Sequence, residues 1–243
     1  MPIRTPYNTR ARAKPPNSGV SMKRLLSVLL LLAAAILLFY FTWNPERNAQ
    51  PIAGLPWQIE VLPDGSSEVF GLTLSRSTLA DARARHGEDM ELALMSAQDG
   101  KVSLEAYYGD FILGVLMGKM ILGTALDAQT VADLQRRAIK MERLESGGQK
   151  YTLHPDDLPL AYAAPIDTIT FIPSANFDEA LVLQRFGMPG ERIRSDEQLE
   201  HFLYPDKGLD VILNDDGKEV LQYVAPRDFE RLRAPLSAGR ETP

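Results

Sequence analysis

Nineteen residues from Leu25 to Trp43, "LLSVLLLLAAAILLFYFTW", carry no charge, and no helical face of the stretch is polar. At 1.5 Å per residue a helix of that length spans about 28 Å, the hydrocarbon thickness of a bilayer. Lys23-Arg24 precede it, Asn44-Pro45-Glu46 follow it, and Tyr40 and Trp43 suit the membrane interface. A buried core helix would show a polar face. A cleaved signal peptide would have a shorter apolar region and end in small residues, where this run ends in Phe-Tyr-Phe-Thr-Trp. Residues 23–43 therefore read as a transmembrane signal anchor, and the basic stretch 1–22 as a disordered tail.

Beyond the anchor the pattern changes. Residues 44–56 are polar, contain proline and lack periodicity, as a linker does. Three Asp-Gly pairs, at 64–65, 99–100 and 216–217, then mark tight hairpins. A two-residue loop at Asp99-Gly100 sets Ala97/Val102, Met95/Leu104 and Ala93/Ala106 on one apolar face, with Ser96/Ser103 and Leu94/Glu105 on the other. The same loop at Asp216-Gly217 pairs Leu213/Val220, Val211/Gln222 and Leu209/Val224, with Ile212/Leu221 and Asp210/Tyr223 behind.

Helical spacing precedes both hairpins. "STLADARARHG" starts at Ser77 and stops at Gly87; "NFDEALVLQRFG" starts at Ser174 or Asn176 and ends at Gly187 and Pro189. A longer helix is expected over 127–145, with Val131, Leu134, Ala138 and Met141 on its dry face. The apolar run 111–126, "FILGVLMGKMILGTAL", holds Lys119 and is short for a membrane span, so it reads as one long strand. Such a strand leaves an apolar edge for a partner or a membrane surface; Gly114 and Gly118 alternatively form a small-xxx-small pair.

These elements predict an α+β fold: an N-terminal transmembrane helix followed by two helix-plus-antiparallel-sheet repeats. The first repeat, with its connecting helix, covers 57–150, the second 151–226, and a tail 227–243.

Charge sharpens the topology. Residues 1–43 hold six bases (Arg4, Arg10, Arg12, Lys14, Lys23, Arg24) and no acid, leaving 20 bases against 32 acids, or −12, for the rest. The basic end is expected in the cytoplasm and residue 44 onward outside, as a single-pass protein of a bacterial inner membrane. An acidic body argues against nucleic acid as a partner. Cysteine is absent. That excludes thiol catalysis, cysteine-ligated zinc and a lipidated N-terminal cysteine, and leaves the compartment open.

"LQRFGMPGERIRSDEQLEHFLYPDKGLDVILNDDGKEVLQYV" resembles the small outer-membrane-assembly proteins of the SmpA/OmlA group and the tandem β-lactamase inhibitor proteins. The shared order is a helix, Phe-Gly-x-Pro, an acidic loop, a strand ending in aromatics (Phe202, Tyr204), Gly-Leu-x-Val and a Gly-turn hairpin. The likeness covers about 50 residues. The first repeat follows it more weakly, with His86-Gly87 lacking the proline and Tyr107-Tyr108 in the strand. It implies a β-lactamase inhibitor protein-like sheet presenting aromatics to protein partners. The missing lipidated cysteine departs from the assembly group.

No nucleophile elbow, zinc-helix motif, phosphate loop or dinucleotide fingerprint occurs, and no catalytic residue, metal site or cofactor is assigned. "LNDDGKE" is a hairpin turn and not a calcium loop, because Ile212 and Leu213 stand where oxygen ligands would be needed. The partner-binding candidates are Tyr107, Tyr108, Phe202, Tyr204 and Tyr223, with core packing as their other reading. The function expected is a membrane-anchored periplasmic protein–protein interaction module with an envelope protein partner, held to the membrane by Leu25–Trp43. The alternatives are an envelope hydrolase with an acid/base site at His154, Asp156 and Asp157, or a subunit of a secretion or division machine.

Overall fold

The computed structural model describes residues 31–36, 39, 53–97, 100–145 and 147–238. The backbone separates into two units, Met1–Pro51 and Ile52–Pro243. In the first unit residues 31–36 and 39 are helical. The remainder of the expected anchor Leu25–Trp43, the tail 1–22 and most of the linker lie outside the described residues. Among the described residues no helix is long and apolar enough to cross a membrane.

The second unit is mostly β. Strands β1 (Glu60–Val61), β2 (Ser67–Val69) and β3 (Leu72–Thr73) form a small antiparallel sheet. Ten more strands make one large sheet: β4 (Glu91–Ser96), β5 (Val102–Leu113), β6 (Leu116–Thr124), β7 (Lys140–Arg143), β8 (Gln149–Thr152), β9 (Ile166–Pro173), β10 (Glu191–Arg194), β11 (Leu199–Tyr204), β12 (Leu209–Asn214) and β13 (Val220–Val224). Their order is β10-β11-β12-β13-β9-β6-β5-β4-β8-β7, antiparallel throughout. The helices are short: α1 (Leu79–His86), α2 (Ala128–Arg137), α3 (Leu158–Tyr162), α4 (Glu179–Phe186) and α5 (Glu230–Ala238).

This overturns the expected α+β fold of a transmembrane helix followed by two β-lactamase inhibitor protein-like repeats. Strands dominate, every strand from 91 to 224 belongs to one sheet, and no described helix spans a membrane. Two segments account for much of the change. The helix expected over 127–145 ends at Arg137, because Ala138 turns to φ −55°, ψ 136° and Lys140–Arg143 pairs with β8 as a strand. The run 111–126 is two strands and not one. Gly114, at φ 63°, lets Gly114-Val115 close a two-residue loop with Leu113 opposite Leu116.

Both tested hairpins are shifted by one residue from the expected register. Leu94 faces Leu104 and Leu92 faces Ala106; Val211 faces Leu221 and Leu209 faces Tyr223. The reason is the loop. Asp64-Gly65 and Asp216-Gly217 each supply the last two of three loop residues, and at all three sites the glycine N–H bonds back to the carbonyl three residues earlier. The bonds are Gly65 to Leu62 at 2.9 Å, Gly100 to Ala97 at 3.0 Å and Gly217 to Asn214 at 3.4 Å. Gly65 and Gly100 sit at φ 77° and 80°, where the third residue of such a loop needs the left-handed region. The shift places Leu94, which the two-residue loop set opposite Glu105, against Leu104 in the core.

The inner face of the large sheet carries the main core. Leu104, Ala106, Tyr108, Met120, Leu122, Ile169, Phe171, Leu221, Tyr223, Val211, Phe202 and Tyr204 are buried there in one cluster with Leu79 and Ala82 of α1, Val131 and Leu134 of α2, and Val182 and Phe186 of α4. Phe70 of the small sheet enters the same cluster and meets Phe111, Phe171 and Tyr223 ring to ring. It holds this place at φ 55°, with its carbonyl accepting from Arg85 at 3.1 Å. The opposite, outer face carries a second, small cluster. Residues 227–243, expected as a tail, contribute Phe229 and α5, whose Leu232 and Leu236 cover Ile193, Leu203 and Val224.

Candidate partner-binding face

Outward from the β9/β13 junction the strands run β9-β6-β5-β4 on one side and β13-β12-β11-β10 on the other. The two halves share local devices. In each, an eight-residue helix begins on a side-chain cap, Thr78 or Asp178, and ends at a left-handed glycine, Gly87 at φ 106° or Gly187 at φ 82°. In each, a core tyrosine hydroxyl donates to that glycine's carbonyl: Tyr108 to Gly87 at 3.3 Å and Tyr204 to Gly187 at 2.9 Å. Burial raises both phenols to about 12. The cross-strand bonds tie each helix stop to the sheet.

These contacts locate the five aromatic candidates. Tyr108, Phe202, Tyr204 and Tyr223 are buried on the inner face, and the Tyr223 hydroxyl is spent on the Pro56 carbonyl at 3.1 Å. They are core, which was the other reading of them. Tyr107 alone points outward. On the outer face the cross-strand register draws one line: Glu91, Tyr107, Ile121 and Thr170, continuing through Gln222, Asp210, Leu203 and Glu191. A glutamate closes each end.

The two ends are dressed differently. Over β10–β13, Phe229, Leu232 and Leu236 pack on Ile193, Leu203 and Val224, and Arg233 of α5 reaches Glu191 at 3.0 Å. Arg231 reaches Asp167, in β9, at 2.8 Å. Over β4–β6 there is instead a groove of about 320 Å³. Ala93, Met95, Tyr107, Ile121 and Leu144 floor it; Glu91, Glu105 and Lys150 rim it, with Lys150 paired to Glu91 at 3.0 Å. Beyond exposed Lys119, the β5–β6 hairpin tip carries a separate apolar group, Ile112, Val115 and Met117, which are 61%, 92% and 52% exposed. Ile112 and Met117 face each other across the hairpin, and Met117 shares the outer face with Ile121. Exposed large apolar residues grouped in this way mark interaction surfaces.

The acid/base trio does not assemble a site. His154 caps the turn Pro155–Asp157, its Nδ1 accepting from the Asp156 N–H at 3.2 Å; Asp156 is exposed, and Asp157 is buried in an ion pair with Arg137. Another constellation, not read from the sequence, is present. His201 Nδ1 lies 2.7 Å from Asp210 Oδ2, and His201 Nε2 lies 3.0 Å from Ser195 Oγ. Asp210 and His201 are buried, Ser195 is exposed, and burial pushes the Asp210 carboxyl above its ordinary range against the His201 hydrogen bond. This is the polarity of an acid–base–nucleophile relay. Only strand pairing brings the three together, since β11 and β12 set Leu203 opposite Asp210 and the β10–β11 loop returns Ser195 to His201. Among the described residues no group of acids, histidines or cysteines could hold a metal ion.

Compared with known protein families, with curated proteins and with solved structures, the chain matches none.

Proposed function

We propose that this protein is a membrane-anchored, envelope-facing module that binds another protein through the outer face of β4–β6. The observation that carries this reading is the open apolar groove around Tyr107, with a further exposed apolar group at the Val115 tip, beside a half whose equivalent surface is covered. Anchoring by Leu25–Trp43, with residue 44 onward in the periplasm, is supported by the uncharged run and the six bases before it. The resemblance to the outer-membrane-assembly group, whose members meet protein partners, points the same way.

Photo-crosslinking from positions 107 and 117 in intact cells tests the reading. Discrete adducts from both, and none from position 160 on α3, support it; no adduct above background from either refutes it. Membrane fractionation and protease accessibility of the spheroplast surface test the anchor and its orientation separately.

The Ser195–His201–Asp210 relay favours a second reading, an envelope hydrolase. Ser195 Oγ attacks an ester carbonyl as its proton passes to His201 Nε2; that proton goes to the departing alcohol as the ester C–O bond breaks, water then releases the acyl group as an acid and restores Ser195, and Asp210 holds the ring through Nδ1. Labelling of Ser195 by a fluorophosphonate, lost in His201→Gln, supports it. An unlabelled Ser195 in folded protein removes it.

A further inference from the structure

We infer that the groove over β4–β6 receives an amphipathic helix of a partner protein bearing arginine, seated as α5 is seated over β10–β13. The inference rests on the partner-binding reading above and names the partner's chemistry. The molecule carries its own precedent. Phe229, Leu232 and Leu236 follow the i, i+3, i+7 spacing of one helical face and lie on Ile193, Leu203 and Val224. Arg233, between them, engages the glutamate that ends the outer line.

The bare half matches that receiving surface at three positions of its first two strands. Glu91 starts β4 as Glu191 starts β10, and each faces the residue that floors its half, Tyr107 or Leu203. Two residues further on, Ala93 stands where the other half has Ile193. The smaller side chain lies in the floor of the groove of about 320 Å³, which is open to a larger side chain from outside. Its rim is acidic at Glu91 and Glu105, with Glu91 held by the single cation Lys150. An incoming guanidinium, planar and forked, displaces a lysine from a carboxylate favourably. The acidic body adds long-range attraction for a basic partner. Strand addition beside the groove is disfavoured, because the edge strand β7 is Lys-Met-Glu-Arg with every residue exposed.

The probe is a fluorescein-labelled peptide with the sequence of residues 226–238, presented to the full chain in lipid nanodiscs and followed by anisotropy. Saturable binding is expected. It should weaken about tenfold or more with Tyr107→Ala, with Glu91→Gln, and when the three peptide arginines are replaced by glutamine. No saturable binding, or binding indifferent to Tyr107→Ala and Glu91→Gln, overturns the inference. If crosslinks at position 107 persist while the peptide fails, the partner-binding reading stands and the helix assignment falls; if both fail, both fall. Sedimentation of the full chain at rising concentration supplies the other outcome. A dimer abolished by Tyr107→Ala makes a second copy the occupant and overturns assignment to a different protein. Circular dichroism and a urea midpoint within error of the parent confirm that each variant is folded.

Discussion

The halves on either side of the β9/β13 junction use the same inner devices and opposite outer ones. Inside, each fastens a short helix to the sheet through a tyrosine and a glycine carbonyl. Outside, one half is sealed by Phe229 and α5 and the other is bare around Tyr107. Equal scaffolding with unequal cover separates what holds the fold from what is free to bind. A large apolar side chain under α5 contributes to stability, while its counterpart in the groove is available for contact.

Substitutions can break that contrast, and the largest effect is expected in the sealed half. Phe229 is 4% exposed, and Phe229→Ala should lower unfolding free energy by about 3 kcal/mol. Tyr107→Ala, its test in the bare half, should cost less than about 1 kcal/mol; urea denaturation of both compares them directly. Similar losses would erase the distinction.

Next comes acid. His86 closes α1 where Phe186 closes α4. Burial first, and then the neighbouring Arg85, lower its pKa from 6.5 to about 4. The native state therefore excludes a proton that the unfolded chain accepts. The stability from a neutral His86 is complete above about pH 6.5 and declines as pH falls toward about 4. The urea midpoint should drop between pH 7 and pH 5 in the parent, and drop less in His86→Phe, which makes the first half like the second.

Smaller still are the tyrosine hydroxyls. Tyr204→Phe removes a 2.9 Å bond and should cost about 1 kcal/mol; Tyr108→Phe removes a 3.3 Å bond and should cost less. Thermal melts of the pair rank them. The smallest effect belongs to the tip: Val115→Ser, at 92% exposure, should change stability by under about 0.5 kcal/mol while reducing any crosslinking from position 117.

Alternation and turn chemistry made most strands legible, and the limits are equally specific. Asp-Gly announced each hairpin but not whether its loop held two residues or three, and that one residue decided whether Leu94 faced Glu105 or Leu104. Gly114 carried the signal for the β5–β6 turn, yet the apolar residues on both sides concealed it. Pro235 hid α5, although Phe229, Leu232 and Leu236 already had helical spacing. Among the aromatics, alternation set Tyr107 and Tyr108 on opposite faces, but only the helices decide which face is buried. The Ser195, His201 and Asp210 relay depends on a cross-strand register that no short motif encodes.

β9 stands at the middle of the large sheet, bonded to β6 on one side and β13 on the other. β13 follows every other strand of the described sheet in chain order, so the β9 edge, with Ile169 and Phe171 in it, lacks that neighbour until residue 224 has emerged. Such an edge is the adhesive part of a half-made chain. Shortened products that stop before Val220 should precipitate or sit on chaperones.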